Sequence, residues 1–330
     1  MTIAIAILNW NGKDLLQEFM PLVVKHSPEA SVHVIDNGST DDSLVWMAEH
    51  HPEVEIISLE ENHGYAGGYN LGIEQIEADL LVLMNNDLRP GPGWMAPLLA
   101  AFEHSAQLVA AQPKILDHNK EDSFEYAGAA GGFIDRLGYP FCRGRIFTTL
   151  EEDHGQYDQD LPIFWASGAC FVVRKDAFIK AGGFDPDLFA HQEEIDLCWR
   201  LREDGGLIRC IAASKVYHLG GGTLEQMNSR KTYLNFRNSL LLLVKHLPLI
   251  DLLWIVPLRG LLDLLAGLRF LVRGEVRHMF AVMHAWLGFI RRWNTFRKKK
   301  TKAGFSGPYW RIPSIVWSYY LLKKRTFNQL

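Results

Sequence analysis

Two short runs hold the residues of this chain best suited to chemistry: Asn85-Asn86-Asp87 and Glu193-Glu194-Ile195-Asp196. The first sets a carboxylate beside two amide oxygens, a hard-donor group apt for Mg²⁺ or Mn²⁺ carrying a diphosphate. It follows five consecutive apolar residues, 80–84, as expected of a strand buried on both faces of a parallel sheet. The polar cluster then falls at the strand's carboxyl end, where open α/β sheets bind ligands. The second run opens a helix expected to reach Asp204, and acids are favoured in a first turn by the helix dipole. Glu193 and Asp196, three apart, share a face, while Glu194 points to another. A carboxylate beside bound sugar is what deprotonation of an acceptor hydroxyl requires. His218 ends a short apolar run just before Gly220-Gly221-Gly222, a place from which an imidazole can reach a metal.

The surrounding elements follow from periodicity and turn chemistry. Apolar runs predict strands at 3–8, 32–35 and 54–59, alternating with helices at 13–25, through Glu49, and at 66–77. Ser39 or Thr40 is expected to cap the middle helix, with Asp41 and Asp42 in its first turn. Such alternation means βαβ units and a parallel sheet. Each strand stops at Asn, Asp or Gly (Asn9, Asp36-Asn37, Asn62 with Gly64, Asn85-Asp87), so polar groups gather along one edge. A helix at 94–104 and a strand at 108–115 follow. Residues 116–161, weak in periodicity, read as an insertion over the cleft that helps shape an acceptor site. A strand is expected at 163–174, where Ser167-Gly168 permit close approach of a substrate, then a helix at 175–181 and short strands at 207–211 and 215–217.

The glycines at 64, 67, 68 and 72 follow the third strand and form no GxGxxG, and no GxxxxGK[ST] occurs. That argues against NAD-dependent oxidation and ATP hydrolysis. Hydrophobic content of 48% and charge of 22% describe a folded protein, long enough at 330 residues for one large domain with an appendage. Four cysteines without a CxxC pair read as reduced core thiols of a cytosolic protein. The first twelve residues lack a basic region and a cleavage site, and read as a strand rather than a signal peptide.

Charge divides the chain. Residues 230–330 carry 19 Lys/Arg against three acids, a net +16, whereas residues 1–229 carry 15 against 35, a net −20. The basic part is leucine-rich, yet its longest charge-free run, 278–290, has 13 residues, short of the roughly 20 that span a bilayer. Arg269, Arg273 and Arg277 recur every four residues as one basic stripe, and Trp286, Phe289, Ile290, Trp293 and Phe296 precede Arg297-Lys298-Lys299-Lys300. This pattern predicts membrane-surface contact through 239–325. Packing on the rest of the chain and a homodimer interface are the other readings. Leucine density argues against nucleic acid.

The segments LNWNG (8–12), VIDNGSTDDS (34–43), NHGYAGGYNLG (62–72), LMNNDLRP (83–90), GACFVVRKDAF (168–178), GGFDPDLFAHQEEIDLCWRL (182–201) and VYHLGGGT (216–223) together resemble the family 2 inverting glycosyltransferases, closest to their rhamnosyltransferase-like branch. The likeness covers about residues 1–240. It implies a GT-A fold: an α/β class, nucleotide-binding, mostly parallel sheet with helices on both faces. That fold would occupy 1–229 (nucleotide half about 1–115, acceptor half about 116–229), with a helical extension over 230–330.

By that resemblance Asp36 binds the nucleotide base, with Asn9, Asn37, Asn62 and Gly64 around it. Asn86 and Asp87 occupy the DxD place and Asn85 stands where the family has its first Asp. Asp87 and His218 would hold a divalent cation. Glu194 falls on the position of the general base, an Asp in the family, with Asp196 as second candidate and Glu193, Ser167 and Gly168 on the acceptor side. The implied reaction is a metal-assisted single displacement from a nucleoside-diphosphate sugar to a saccharide or lipid-linked saccharide, for cell-surface polysaccharide. The place implied is the cytoplasm, peripheral on the inner face of the cell membrane. The alternatives are a non-catalytic nucleotide-sugar-binding or scaffold protein, and a sugar-phosphate nucleotidyltransferase.

Overall fold

A computed structural model describes residues 1–220, 228–300 and 308–330. Its first part alternates strictly: β1 (Ile3–Asn9), α1 (Lys13–His26), β2 (Ser31–Asn37), α2 (Ser43–His50), β3 (Glu55–Leu59), α3 (Gly64–Ile73) and β4 (Leu80–Asn85). The short β5 (Leu88–Pro90), α4 (Met95–His104) and β6 (Leu108–Asp117) come next. Four small strands follow, β7 (Gly132–Ile134), β8 (Pro140–Cys142), β9 (Arg145–Ile146) and β10 (Thr149–Leu150). Then come β11 (Leu161–Pro162), β12 (Cys170–Arg174), α5 (Lys175–Lys180), α6 (Glu193–Glu203) and β13 (Leu207–His218). Three long helices close the chain: α7 (Ser229–His246), α8 (Leu249–Val272) and α9 (Val276–Lys298).

The main sheet runs β11-β13-β6-β12-β4-β1-β2-β3, with β5 paired to β13. β3, β2, β1 and β4 are parallel; β12 runs against both β4 and β6, and β6 is parallel to β13. Six strands therefore share one direction. Position explains sequence: β4, flanked by β1 and β12, is buried from Leu80 to Met84, whereas β3 at the edge exposes Glu55 and Ser58 and buries Ile57. α1 turns Leu16, Phe19, Met20 and Val23 inward at helical spacing.

Three expectations are corrected. Ser39 and Thr40 do not cap α2, which starts only at Ser43; the preceding Asp41 carboxylate accepts the Ser43 N–H at 3.1 Å. The strand expected over 163–174 is regular only from Cys170. The strands expected at 207–211 and 215–217 are one, β13, irregular between Ile211 and Lys215. The stretch 116–161 carries the small strands β7–β10. Its small sheet packs on the end of the chain, where Phe133 and Phe141 meet the Phe327 ring and Asp135 accepts the Ile315 N–H at 2.8 Å. All four cysteines are free and buried.

The C-terminal helices share the core of the sheet. Leu240, Leu243, Phe289 and Phe296 lie in one buried cluster with Ala6, Leu83 and Phe171. The basic stripe does not exist, because α8 stops at Val272 and Gly274, at φ 76°, turns the chain before Arg277. The aromatic row of α9 also points the other way. Phe289 and Phe296 are buried, Trp286 and Trp293 pack on that core, and only Ile290 is exposed. Arg297 donates to the Val244 and Leu247 carbonyls, and Lys299 pairs with Asp185 and Asp187, so half of that basic cluster is internal bracing. Gly221 and Gly222 lie outside the described residues.

Candidate active site

The carboxyl ends of β1, β2 and β4 meet in register, Asn9 opposite Asp36 and Leu8 opposite Asn85. Asn9 is fully buried and joins the three. Its amide donates to Asp36 Oδ1 (3.2 Å) and Ser43 Oγ (3.1 Å), and its oxygen accepts from the Asn86 amide (3.2 Å). Asp36 Oδ2 accepts the Ser39 N–H at 3.0 Å. The next layer ties β2 to α3. Asn37 donates to Asn62 Oδ1 (3.0 Å) and the Gly64 carbonyl (3.1 Å), and Asn62 Oδ1 also accepts the Gly64 N–H (2.8 Å). Gly64 has φ +72° and lies against Phe189, whose ring a Cβ would approach to 2.9 Å. Only glycine meets both demands cheaply.

Asp87 lies beyond β4, almost completely covered. Its Oδ1 is 3.0 Å from His218 Nε2, and His218 Nδ1 is 3.0 Å from Glu125 Oε2. The Asn85 amide is 3.3 Å from His218 Nε2. Burial alone would lower the His218 pKa, but Asp87 and Glu125 on either side raise it to about 10. Among the described residues no cluster of three or more His, Cys, Asp or Glu side chains is arranged as a metal site. The donor set nonetheless fits one. Mg²⁺ is commonly held by one or two protein groups plus substrate phosphates, and Asp87 and His218 offer a carboxylate oxygen and an imidazole nitrogen facing each other. Ligation requires His218 to release that proton.

The other wall is the start of α6. Phe189, His191 and Gln192, at φ 69°, 67° and 71°, are left-handed without being glycine, at a cost on the order of 1–3 kcal/mol each. α7 braces this loop. Asn238 donates to the carbonyls of Leu188 (3.1 Å), Ala190 (3.0 Å) and His191 (2.7 Å), Arg237 to that of Leu188, and Gln192 donates to the Asn235 carbonyl. The strained loop presents Glu193, buried, and Glu194, half-buried, each with an Oε2 that finds no hydrogen-bond partner among the described residues. Burial pushes Glu194 up to about 7, and burial plus the Glu194 charge holds Glu193 well above the carboxylate range. Gly168 is close by, its Cβ position 4.0 Å from Glu194 Cβ, and the Tyr65 hydroxyl donates to its carbonyl at 2.7 Å. Gly64 on the first wall and Tyr65 on the second are consecutive, so the N-terminus of α3 brings the two together.

Two candidates do not face this space. Ser167 is buried and satisfied, donating to the Ala127 carbonyl (2.7 Å) and accepting the Ala169 N–H (3.2 Å). Asp196 is buried, 2.8 Å from Arg200 and Lys245 and 2.9 Å from His246. Burial would raise its pKa, yet those partners hold it well below the usual range. A carboxylate so committed is a poor proton acceptor. Sequence reasoning missed Glu125, Tyr65, Arg237 and Asn238. The cue for the last two was present: Asn235, Arg237 and Asn238 are the polar interruption just ahead of four leucines.

Residues 4–182 match the pattern of Glycosyl transferase family 2. The chain belongs to that family. This family 2 glycosyltransferase is 31% identical over 206 residues to an N-acetylglucosaminyl-diphospho-decaprenol L-rhamnosyltransferase of Mycobacterium tuberculosis, covering 57% of this chain and 66% of that one. It is 23% identical over 245 residues to the low-salt glycan biosynthesis hexosyltransferase Agl10 of Haloferax volcanii, covering 72% and 74%. Among solved structures it resembles the mannosyltransferase PcManGT of Pyrobaculum calidifontis in complex with GDP-Man and Mn²⁺ (TM-score 0.55, 11% identity, 87% and 86% covered). It also resembles GalNAc-T7 with UDP, GalNAc and Mn²⁺ (TM-score 0.58, 17% identity, 74% and 48% covered). The fold is GT-A, in keeping with membership of a glycosyltransferase family.

Proposed function

We propose that this glycosyltransferase inverts the anomeric carbon of a nucleoside-diphosphate sugar in one displacement, with Glu194 as general base. The observation that carries it is Glu194 Oε2, shielded, unpartnered and on a group raised to about 7, the poise a base needs near neutral pH. Glu194 takes the proton of an acceptor hydroxyl as its oxygen bonds to the anomeric carbon, and the bond to the diphosphate oxygen breaks. Glu193 lies beside it, its pKa raised by burial and by the neighbouring Glu194 charge, so the two groups titrate as a pair. Asp36, fixed by Asn9 and the Ser39 N–H, binds the nucleoside, and the Asn37-Asn62-Gly64 turn shapes its pocket. Asp87 and His218 would hold a divalent cation, Mg²⁺ or Mn²⁺, whose chemistry is to offset charge on the departing diphosphate.

The rhamnosyltransferase and hexosyltransferase relatives favour a saccharide acceptor, lipid-linked, in cell-surface polysaccharide synthesis. We place catalysis in residues 1–229, with α7 bracing the base, and assign the exposed faces of α8 and α9 to the inner face of the cell membrane. The test is Glu194→Gln, which keeps shape but removes the proton acceptor. Transfer should fall by about 10²–10⁴, while a nucleoside diphosphate with Mn²⁺ still raises the melting temperature. Full activity in Glu194→Gln would remove it from the chemistry. An anomeric product of retained configuration would exclude the single displacement, and absence of transfer from every donor would favour a binding protein.

A further inference from the structure

α8 is built inside out. Its buried positions include Arg259 and Asp263, which pair with each other at 3.6 Å and hydrogen-bond to neighbouring elements. Asp263 accepts from Tyr139 Oη (2.8 Å) and Trp286 Nε1 (3.1 Å). Arg259 donates to the Leu137 carbonyl (2.9 Å) and Ser239 Oγ (2.7 Å). Outward instead point Ile250, Leu253, Leu261, Leu264, Leu265 and Leu268, each between 47% and 72% exposed. From Ile250 to Leu268, about 28 Å of helix, no exposed residue bears a charge. An ordinary surface helix does the reverse, and a continuous apolar face of this length marks an interaction surface.

Its neighbours continue the pattern. α9 adds an exposed stripe of Phe280, Met283, Leu287 and Ile290. Beside that stripe Arg277, His284, Arg291 and Lys298 are exposed at every seventh residue. Arg269 donates to Tyr320 Oη at 2.6 Å, which brings exposed Trp317, Leu321 and Leu322 against the end of α8. The rim is thus basic around an apolar centre. Two such rims facing one another in a dimer would repel, whereas anionic lipid headgroups over a hydrocarbon interior complement both parts. No helix among the described residues is long and apolar enough to cross a membrane.

We infer that α8 lies in the plane of an anionic bilayer with its leucine face inserted among the acyl chains, held there by hydrophobic burial and oriented by the basic rim of α9. This rests on the proposed work at a membrane face and specifies how the chain is held there. The full chain would be tested with phosphatidylglycerol-containing and pure phosphatidylcholine vesicles. Because all four native cysteines are buried, Leu264→Cys accepts an environment-sensitive fluorophore selectively. The label should shift to the blue on vesicles and be quenched by lipids brominated on their acyl chains. Leu261→Gln, Leu264→Gln and Leu268→Gln together should weaken vesicle binding on the order of a hundredfold and leave the nucleotide-dependent melting shift unchanged.

Three results would overturn the inference: vesicle binding that the leucine changes spare and high salt abolishes; a stable dimer dispersed by those changes with vesicles ignored; or a monomer that ignores every vesicle. If the triple variant does not fold, the single-site label still decides. Lipid insertion without any nucleotide response would instead fail the donor reading and leave this one standing.

Discussion

The cleft wall at α6 and the outer face of α8 both depart from the usual arrangement of polar outside and apolar inside, in opposite directions. At α6 two carboxyl groups are partly or wholly withdrawn from water, each with an oxygen that finds no partner among the described residues, while two residues on, Asp196 is wholly hidden but meets Arg200, Lys245 and His246. At α8 the hidden charges pair with each other and hydrogen-bond to neighbouring elements, and it is leucines that lack cover. The comparison separates architecture from function by one criterion. A buried charge with a full set of partners fixes the position of one element on another, as Asp196 does for α6 on α7 and Asp263 for α8. A group whose own solvent preference is left unmet marks where something outside the chain must come.

That criterion can be broken by mutation. The largest effect is expected from removing one partner of a closed network. Asp263→Ala should cost about 3–5 kcal/mol, because Arg259 would stay buried without that carboxylate, and Asp196→Ala less, because Lys245 keeps Asp185 and His246 keeps Glu203. Chemical denaturation measures this, and a loss below 1 kcal/mol would mean that these charges are solvated after all. Asn238→Ala comes next, at about 1–3 kcal/mol, since the Ala190 and His191 carbonyls of a strained loop lose this donor while Leu188 keeps Arg237. Turnover should fall more than donor affinity, which steady-state kinetics with varied donor separates.

The pH dependence sharpens the contrast within α6. Transfer should rise through about pH 7 as Glu194 ionises, and Glu194→Gln should flatten that limb. Stability moves the other way. The native state keeps a proton that the unfolded chain releases near its ordinary value of about 4.3, so Glu194 lowers stability as pH rises from there to about 7. Asp196 acts oppositely, its contribution present above about 3.9 and lost as pH falls towards its depressed native value. Thermal unfolding from pH 3 to 8 of parent and Glu194→Gln tests both signs. The smallest effect belongs to the open face: Leu264→Gln should change stability by no more than about 0.5 kcal/mol, one residue away from Asp263.

Much of the sheet is legible in the sequence because the central strands are apolar throughout and stop abruptly at polar residues. β4 is the clearest case, ending at the residues that face His218. What periodicity cannot convey is direction. The spacing of Leu261, Leu264, Leu265 and Leu268 fits a helix packed on a core as well as one turned from it, and only Arg259 and Asp263, satisfied from the other side, decide between them. Arg269, Arg273 and Arg277 mislead for a related reason, since a regular spacing was carried through the break at Gly274. Glu125 and Asn238 are invisible for want of nearness. Each acts on residues about fifty to ninety positions away, and a lone Glu or Asn carries no pattern of its own.

The Asn238 fork bears on how this enzyme can be cut and recombined. Residues 4–182, by which the family is recognised, contain neither the helix that carries Glu194 nor the side chain that holds its loop. A fragment ending at 229 keeps every strand of the sheet but loses the donors to Leu188, Ala190 and His191. Chimaeras that exchange acceptor preference with a relative would have to move residues 186–246 as a single cassette.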